Sequence, residues 1–215
     1  MSLSRLQLAP EHGRARMVSR QLRRRGIADE RVLQAMATVP REAFVPVALR
    51  GRAYDDAALS IGDKQTISQP YIVATMCELL GLDGSERVLD VGTGSGYAAA
   101  VLDELAATVV SIERIPALAA RAREALASTG HDTVDVRVGD GRLGAPDRAP
   151  FERIAVAAAT ERIPMALYEQ LAEGGRLVAP RGGPEGQQLV RVVKTRTGPV
   201  ETLGLGCRFV PLVAD

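Results

Sequence analysis

From residue 86 onward, short runs rich in β-branched residues alternate with segments of helical period, and this alternation confines the chain to a parallel sheet covered by helices. The β-rich runs cover 87–91, 108–113, 134–138, 153–157 and 176–180. Helical patterns separate them: Leu102 with Leu105, then Pro116 with Leu118, Ala122 and Leu126, then Pro164 with Leu167 and Leu171. Two further runs, 188–194 and 201–210, are joined at Thr197-Gly198-Pro199 and predict an antiparallel edge. The expected fold is a doubly wound, Rossmann-like α/β sheet. Aromatic residues make up 3% of the chain and Trp is absent, so the core must come from Ala, Val, Leu and Ile, which suits such a sheet.

Upstream, residues 1–80 read as a helical extension of the 81–215 core, the two forming one structural domain. Asp29 is placed to cap a helix with Val32, Met36 and Val39 on one face, stopped by Pro40. A second helix follows Ser68-Gln69-Pro70, with Ile72, Met76, Leu79 and Leu80 inward and Gly81 as its C-terminal cap. Between the two, residues 54–69 are small and polar and read as a loop placed to act as a lid.

Charge excludes more than it suggests. With 27 basic and 26 acidic residues the net charge is +1, which gives no electrostatic case for nucleic acid or an anionic membrane. Arg20, Arg23, Arg24 and Arg25 have no interleaved aromatics and read as a solvated helix face. Cys77 and Cys207 follow no zinc or redox spacing, so both are expected as reduced core thiols and no metal is expected. No apolar stretch approaches the roughly 18 residues of a membrane span, and no secretory leader pattern is present, so a cytoplasmic protein is expected.

The first core strand runs into a glycine-rich turn, Val88-Leu89-Asp90-Val91-Gly92-Thr93-Gly94-Ser95-Gly96. Taken alone, that turn fits a dinucleotide site and an S-adenosylmethionine site almost equally. Two features separate them. Tyr97 stands where a pyrophosphate-binding turn usually carries its third glycine, and Asp90 would repel a phosphate but suits a cofactor bearing an amino group and a sulfonium. Glu113 ends the second strand, 21 residues after Gly92, and is placed to accept both ribose hydroxyls. Gly139-Asp140-Gly141 follows the third run, where Asp140 is a candidate acceptor for the adenine amino group. All three carboxylates lie at strand carboxyl ends, where open α/β sheets bind ligands. S-adenosylmethionine is the expected cofactor, held by Asp90, Gly92, Thr93, Gly94, Ser95, Gly96, Glu113, Asp140 and Gly141.

Nearly the whole chain resembles the protein-L-isoaspartate (D-aspartate) O-methyltransferase family. The resemblance rests on Val39-Pro40-Arg41-Glu42-Ala43-Phe44-Val45-Pro46, Ala53-Tyr54-Asp55, Gln65-Thr66-Ile67-Ser68-Gln69-Pro70-Tyr71, the glycine turn, Gly139-Asp140-Gly141 and Arg208-Phe209-Val210-Pro211. The segment 66–70 is the specific one, since general methyltransferases share the turn but lack it. The resemblance implies methyl transfer to the free carboxylate of isoaspartyl residues in damaged peptides and proteins, with closure of the ester to a succinimide. It implies Ser68 as the active-site residue, Gln65, Thr66, Ile67 and Ser68 along the cofactor, and Ser68, Gln69 and Val210 toward the substrate. The chain departs from the commoner family pattern at Leu59-Ser60-Ile61-Gly62, where Pro often replaces Ser60, at Phe151-Glu152, and at Val156-Ala157-Ala158-Ala159, which lacks a frequent threonine.

Ser68 has a second reading as the helix N-cap, compatible with the first. Two alternatives keep the fold: an enzyme dedicated to one peptide aspartate, or a cofactor-binding module without catalysis. An extra segment for a dedicated partner would favour the former, and four residues follow Pro211. The Ser68 segment argues against the latter. A monomer acting on peptides, without nucleic acid or membrane partners, is expected.

Overall fold

A computed structural model describes residues 10–183 and 185–213. Helix α1 (Pro10–Arg16) continues through a π-helical turn, Met17–Leu22, and a 3₁₀ turn, Arg23–Arg25, and stops at Gly26, whose φ is 98°. The arginines there are solvated as expected: Arg23 pairs with Glu30, and Arg25 pairs with Asp56 and lies 3.6 Å over the Tyr71 ring. Asp29 caps α2 (Glu30–Thr38), accepting from Arg31 N at 2.9 Å and Val32 N at 3.4 Å. Val32, Leu33 and Met36 turn inward along it. Two 3₁₀ turns follow, Arg41–Phe44 and Val47–Arg52.

The expected loop at 54–69 contains a hairpin instead, β1 (Leu59–Gly62) with β2 (Gln65–Ile67), paired Leu59 to Ile67 and Ser60 to Thr66. Leu59, Ile61 and Ile67 are buried, which gives the hairpin an apolar side, and Asp63 and Lys64 make its tight turn with φ of 51° and 58°. Helix α3 (Pro70–Leu80) then begins, and its N-cap is Gln69 rather than Ser68. Pro70 occupies the first helical position, which leaves Ser68 outside the helix and frees its hydroxyl from capping. At the other end Gly81 closes α3 in the left-handed region, while Arg153 and Arg176 donate to the carbonyls of Gly81 and Leu80.

The core strands are β3 (Arg87–Val91), β4 (Thr108–Glu113), β5 (Asp135–Val138), β6 (Phe151–Val156), β7 (Leu171–Gly183), β8 (Gly186–Thr195) and β9 (Gly198–Cys207). Helices α4 (Tyr97–Asp103), α5 (Pro116–Ser128) and α6 (Met165–Glu169) connect them. The sheet order is β5-β4-β3-β6-β7-β8-β9, parallel from β5 to β7 and antiparallel at β8 and β9. The doubly wound sheet with its antiparallel edge is as the sequence predicts. Because the chain builds outward from β3 to β5 and then returns to β6 on the other side, the crevice opens where β3 meets β6.

Both faces of the sheet are covered. Val88, Val109, Ala155 and Val178 join one cluster with Ala99, Leu102 and Leu118, and Met17, Leu22, Met36 and Phe44 of the extension belong to the same cluster. Leu89, Val91, Ile112, Ile154 and Val156 form the other with Leu167 and Leu171. Phe44 meets Tyr97 edge-on, with ring centroids 5.8 Å apart. Loss of the α2 cap is the mildest test of this local assignment: Asp29→Ala is expected to lower the unfolding free energy by about 1 kcal/mol, read as a shift of the urea midpoint, and an unmoved midpoint contradicts it.

Candidate functional site

The register of β3 against β4 sets Asp90 opposite Ser111. Ser111 Oγ donates to Asp90 Oδ2 at 2.7 Å and lies 2.5 Å from Thr93 Oγ1. A hydroxyl carries one proton, so Thr93 is the donor to Ser111. Beyond Val91 the chain turns with φ of 99°, 55° and 90° at Gly92, Gly94 and Gly96. The turn hangs from β4: Ile112 O accepts from Gly92 N at 2.8 Å and Thr93 N at 3.2 Å. Glu113 accepts from Gly94 N at 2.8 Å with one oxygen and from Ile115 N at 3.0 Å with the other. A side chain at Gly96 would put its Cβ 3.3 Å from Leu126 of α5, and one at Gly94 would meet Ile61 of the hairpin. The hairpin therefore lies over the turn, and its Asp63 pairs with Arg121 of α5 at 2.5 Å.

A cavity of about 340 Å³ opens above the turn. Gly92 to Ser95 form its floor, Ile112 to Ile115 and Gly141 one end, Ala157 and Ala158 of the β6 end its back, and 206–213 its far wall. Gln65, Thr66, Ile67, Ser68 and Gln69 complete it from the hairpin side. The far wall is held by Ala159, whose N–H donates to Val210 O at 2.8 Å and whose carbonyl accepts from Leu212 N at 2.7 Å. Gln187 holds the Phe209 backbone by both amide groups.

Most sequence-predicted site residues thus meet at one cavity: Gln65 to Gln69, Gly92 to Ser95, Glu113, Gly141 and Val210. Three are displaced from its surface. Gly96 sits behind the floor against α5. Asp90 is buried under the turn, and its Oδ1 has no hydrogen-bond partner among the described residues. Asp140 accepts from Arg142 N at 2.9 Å and from the Arg142 guanidinium, which holds its carboxyl below the usual range. Cys207 is also not a core thiol: it is half-buried in the far wall because β9 is the sheet edge, and burial pushes its thiol up to about 11. Ile115, Ala157, Phe209 and Leu212 line the cavity without having been given a site role from the sequence. Position just past a strand end is the signal that marks Ile115 and Ala157.

The residues present can hold a nucleoside cofactor bearing a cation. A carboxylate offers about four acceptor sites, and Glu113 commits one on each oxygen to the backbone, leaving the others for a pair of hydroxyls at the cavity edge. The unpartnered Asp90 oxygen adds negative potential beneath the floor.

The model of the protein-L-isoaspartate(D-aspartate) O-methyltransferase family matches residues 13–215. The chain belongs to that family. It is 56% identical to the protein-L-isoaspartate O-methyltransferase of Methanoculleus marisnigri over 94% of this chain and 92% of the relative. It is 57% identical to one from Anaeromyxobacter sp. over 94% of this chain and 84% of the relative. Among solved structures, a protein-L-isoaspartate O-methyltransferase superposes with a TM-score of 0.84 at 29% identity, across 94% of this chain and 66% of its own. A Plasmodium falciparum protein with the same provisional name, in complex with S-adenosyl-L-homocysteine, shares the fold with a TM-score of 0.82 at 23% identity, over 94% of this chain and 99% of its own. Among the described residues no helix is long and apolar enough to cross a membrane.

In this methyltransferase chain, burial pushes the Asp90 carboxyl up to about 6, against the Ser111 hydrogen bond, and the Glu113 charge adds to the rise. The native state therefore binds that proton more tightly than the unfolded chain does, and stability falls as pH rises from about 4 to about 6. Asp90→Asn is expected to melt above the parent protein at about pH 7.5 and to lose that advantage toward about pH 4. An advantage equal at both pH values would show that folding does not raise the Asp90 pKa.

Proposed function

We propose that this cavity binds S-adenosylmethionine on the glycine turn and an isoaspartyl carboxylate beside Ser68, so that the chain acts as a protein-repair methyltransferase on L-isoaspartyl and D-aspartyl residues. The observation that carries the reading is that Thr66 to Gln69 of the family-specific segment and the glycine turn, more than twenty residues apart, line one cavity. Family membership gives the activity, protein-L-isoaspartate(D-aspartate) O-methylation with S-adenosylmethionine as donor. The same reading makes the enzyme a cytoplasmic monomer acting on peptides and proteins, and the near-neutral charge is consistent with the lack of a nucleic-acid partner.

When bound, the cofactor supplies a methyl group made electrophilic by a sulfonium. The acceptor carboxylate is already ionised at neutral pH, so no general base is required of the protein. What the chain must do is orient and dry the reacting groups. Glu113 accepts the ribose hydroxyls, and Gln65, Thr66 and Ile67 close over the nucleoside. Asp90 acts through the field beneath the turn. Asp140 and Gly141 bound the adenine end, where Asp140, paired with Arg142, is the candidate acceptor for the adenine amino group. The Ser68 hydroxyl, which does not cap α3, donates to the acceptor carboxylate and fixes its approach. Gln69 and Val210 flank the peptide, while Ile72, Phe209 and Leu212 exclude water. The backbone amide nitrogen that follows then attacks the ester carbonyl and expels methanol, giving a succinimide without further help from the enzyme.

Paired peptides that differ only in isoaspartyl or aspartyl linkage test the assignment: base-labile methyl ester is expected on the isoaspartyl member alone, and equal labelling contradicts repair. Ser68→Ala is expected to lower turnover at least tenfold with cofactor affinity nearly unchanged, whereas a loss of thermal stability with normal turnover would reduce Ser68 to a structural role. Glu113→Ala is expected to weaken cofactor binding by about 1–3 kcal/mol in titration calorimetry.

A further inference from the structure

Arg41 is a large, fully buried side chain, 0% exposed, at the start of the 3₁₀ turn Arg41–Phe44. Its guanidinium stays charged at any pH the protein survives. The ionisable neighbours that act on it are Tyr97 and Tyr54, not a carboxylate. Nε donates to Ala53 O at 2.7 Å and Nη2 to Ser68 O at 2.8 Å, while Nη1 has no hydrogen-bond partner among the described residues. The guanidinium carbon lies 4.7 Å from the centroid of the Tyr97 ring.

Burying a cation without a counter-charge is costly, and an apolar side chain of similar volume often stabilises a fold at least as well. What only a guanidinium does here is hold two carbonyl oxygens from one plane while its charge lies over an aromatic ring. The three groups it joins come from three parts of the fold, two of which line the cavity. Ala53 caps the turn Val47–Arg52, Ser68 lies in the segment 65–69 that lines the cavity, and Tyr97 starts α4 directly after Gly96. A single planar group thus spans the acceptor side and the glycine turn.

We infer that Arg41 is a positioning residue, which sets Ser68 at the distance from the glycine turn that aligns the acceptor carboxylate with the transferred methyl group. The inference rests on the orienting role assigned to Ser68 above. Arg41 does not touch substrate or cofactor. It acts through the Ser68 backbone, so its loss should appear in turnover and not in cofactor binding.

Arg41→Met keeps the length and removes the donors, and Arg41→Lys keeps one donor. With an isoaspartyl peptide, Arg41→Met is expected to lower kcat at least tenfold, since a misplacement near 1 Å can cost about a hundredfold, while the Kd for S-adenosylmethionine changes less than about threefold. Arg41→Lys should recover part of kcat. In the Ser68→Ala background Arg41→Met should lower kcat less than about twofold further, because both act on one group. Unchanged kcat in Arg41→Met, or two losses that multiply in the double variant, overturns the inference, as does a fall in melting temperature with kcat intact. If Arg41→Met does not fold, Arg41→Lys is taken through the same cycle: a smaller loss of kcat that does not multiply with that of Ser68→Ala supports the inference, and an unchanged kcat overturns it. Parent protein that labels no isoaspartyl peptide defeats the proposed function and takes this inference with it; parent protein that labels it normally isolates any failure to Arg41.

Discussion

One carbonyl, Ile112 O at the end of β4, accepts the amides of both Gly92 and Thr93, and the architecture of the site depends on that pair of hydrogen bonds. They tie the end of one strand to the turn leaving its neighbour. The β3–β4 register then has a single answer, because a slip by one residue would move Asp90 and Ser111 to the opposite face among Leu89 and Val91. With the register set, Gly94 N reaches Glu113, α4 starts beneath Ala122 and Leu126, and Ile61 of the hairpin finds a surface without side chains to lie on. The cavity floor is backbone, and its shape is a consequence of sheet pairing.

The parts of this arrangement dictated locally were legible in the residues. β3 and β4 begin and end where β-branched runs do, Asp29 caps α2, and Gly81 closes α3, because burial on both faces, capping and left-handed φ each leave a mark within a few positions. The strand-end carboxylate Glu113 was legible for the same reason. What could not be read was set by distant partners. The hairpin at 59–67 is too short to declare itself and exists because Leu59, Ile61 and Ile67 find the core. Asp90 looked like a wall residue, but strand parity turns it inward with Val88. Asp140 looked open to ligand until Arg142, two residues on, occupied it. The far wall at 206–213 takes its place from Ala159 and Gln187, which carry no pattern pointing to such a role.

Helix α3 connects the two kinds of information. Its C-terminal carbonyls are held by Arg153 and Arg176 from the sheet, and the residue two places before its first turn, Ser68, is held by Arg41 from the extension. The helix is fixed at one end to the core and at the other to the segment covering the cavity. Arg41 and Asp90 are two of the buried ionisable side chains around it, and neither has a full set of partners among the described residues. Neither is the residue that stability alone would select at its position.

Asp140 and Arg142 have one more consequence. Isoaspartate forms when a backbone amide nitrogen attacks the side-chain carbonyl of the aspartate before it, most readily when glycine follows, and the chain contains Asp83-Gly84 and Asp140-Gly141. In both, the carboxylate is drawn past the glycine onto the amide two residues on, Ser85 N at 3.0 Å and Arg142 N at 2.9 Å. Both carboxyls are held below their ordinary range, by Ser85 and by Arg142, and remain the poorly electrophilic anion. Gly84 N is further occupied by Glu86 at 3.1 Å. The hydrogen bonds that shape these two turns therefore also slow the ageing of the very sequence type that the enzyme exists to repair.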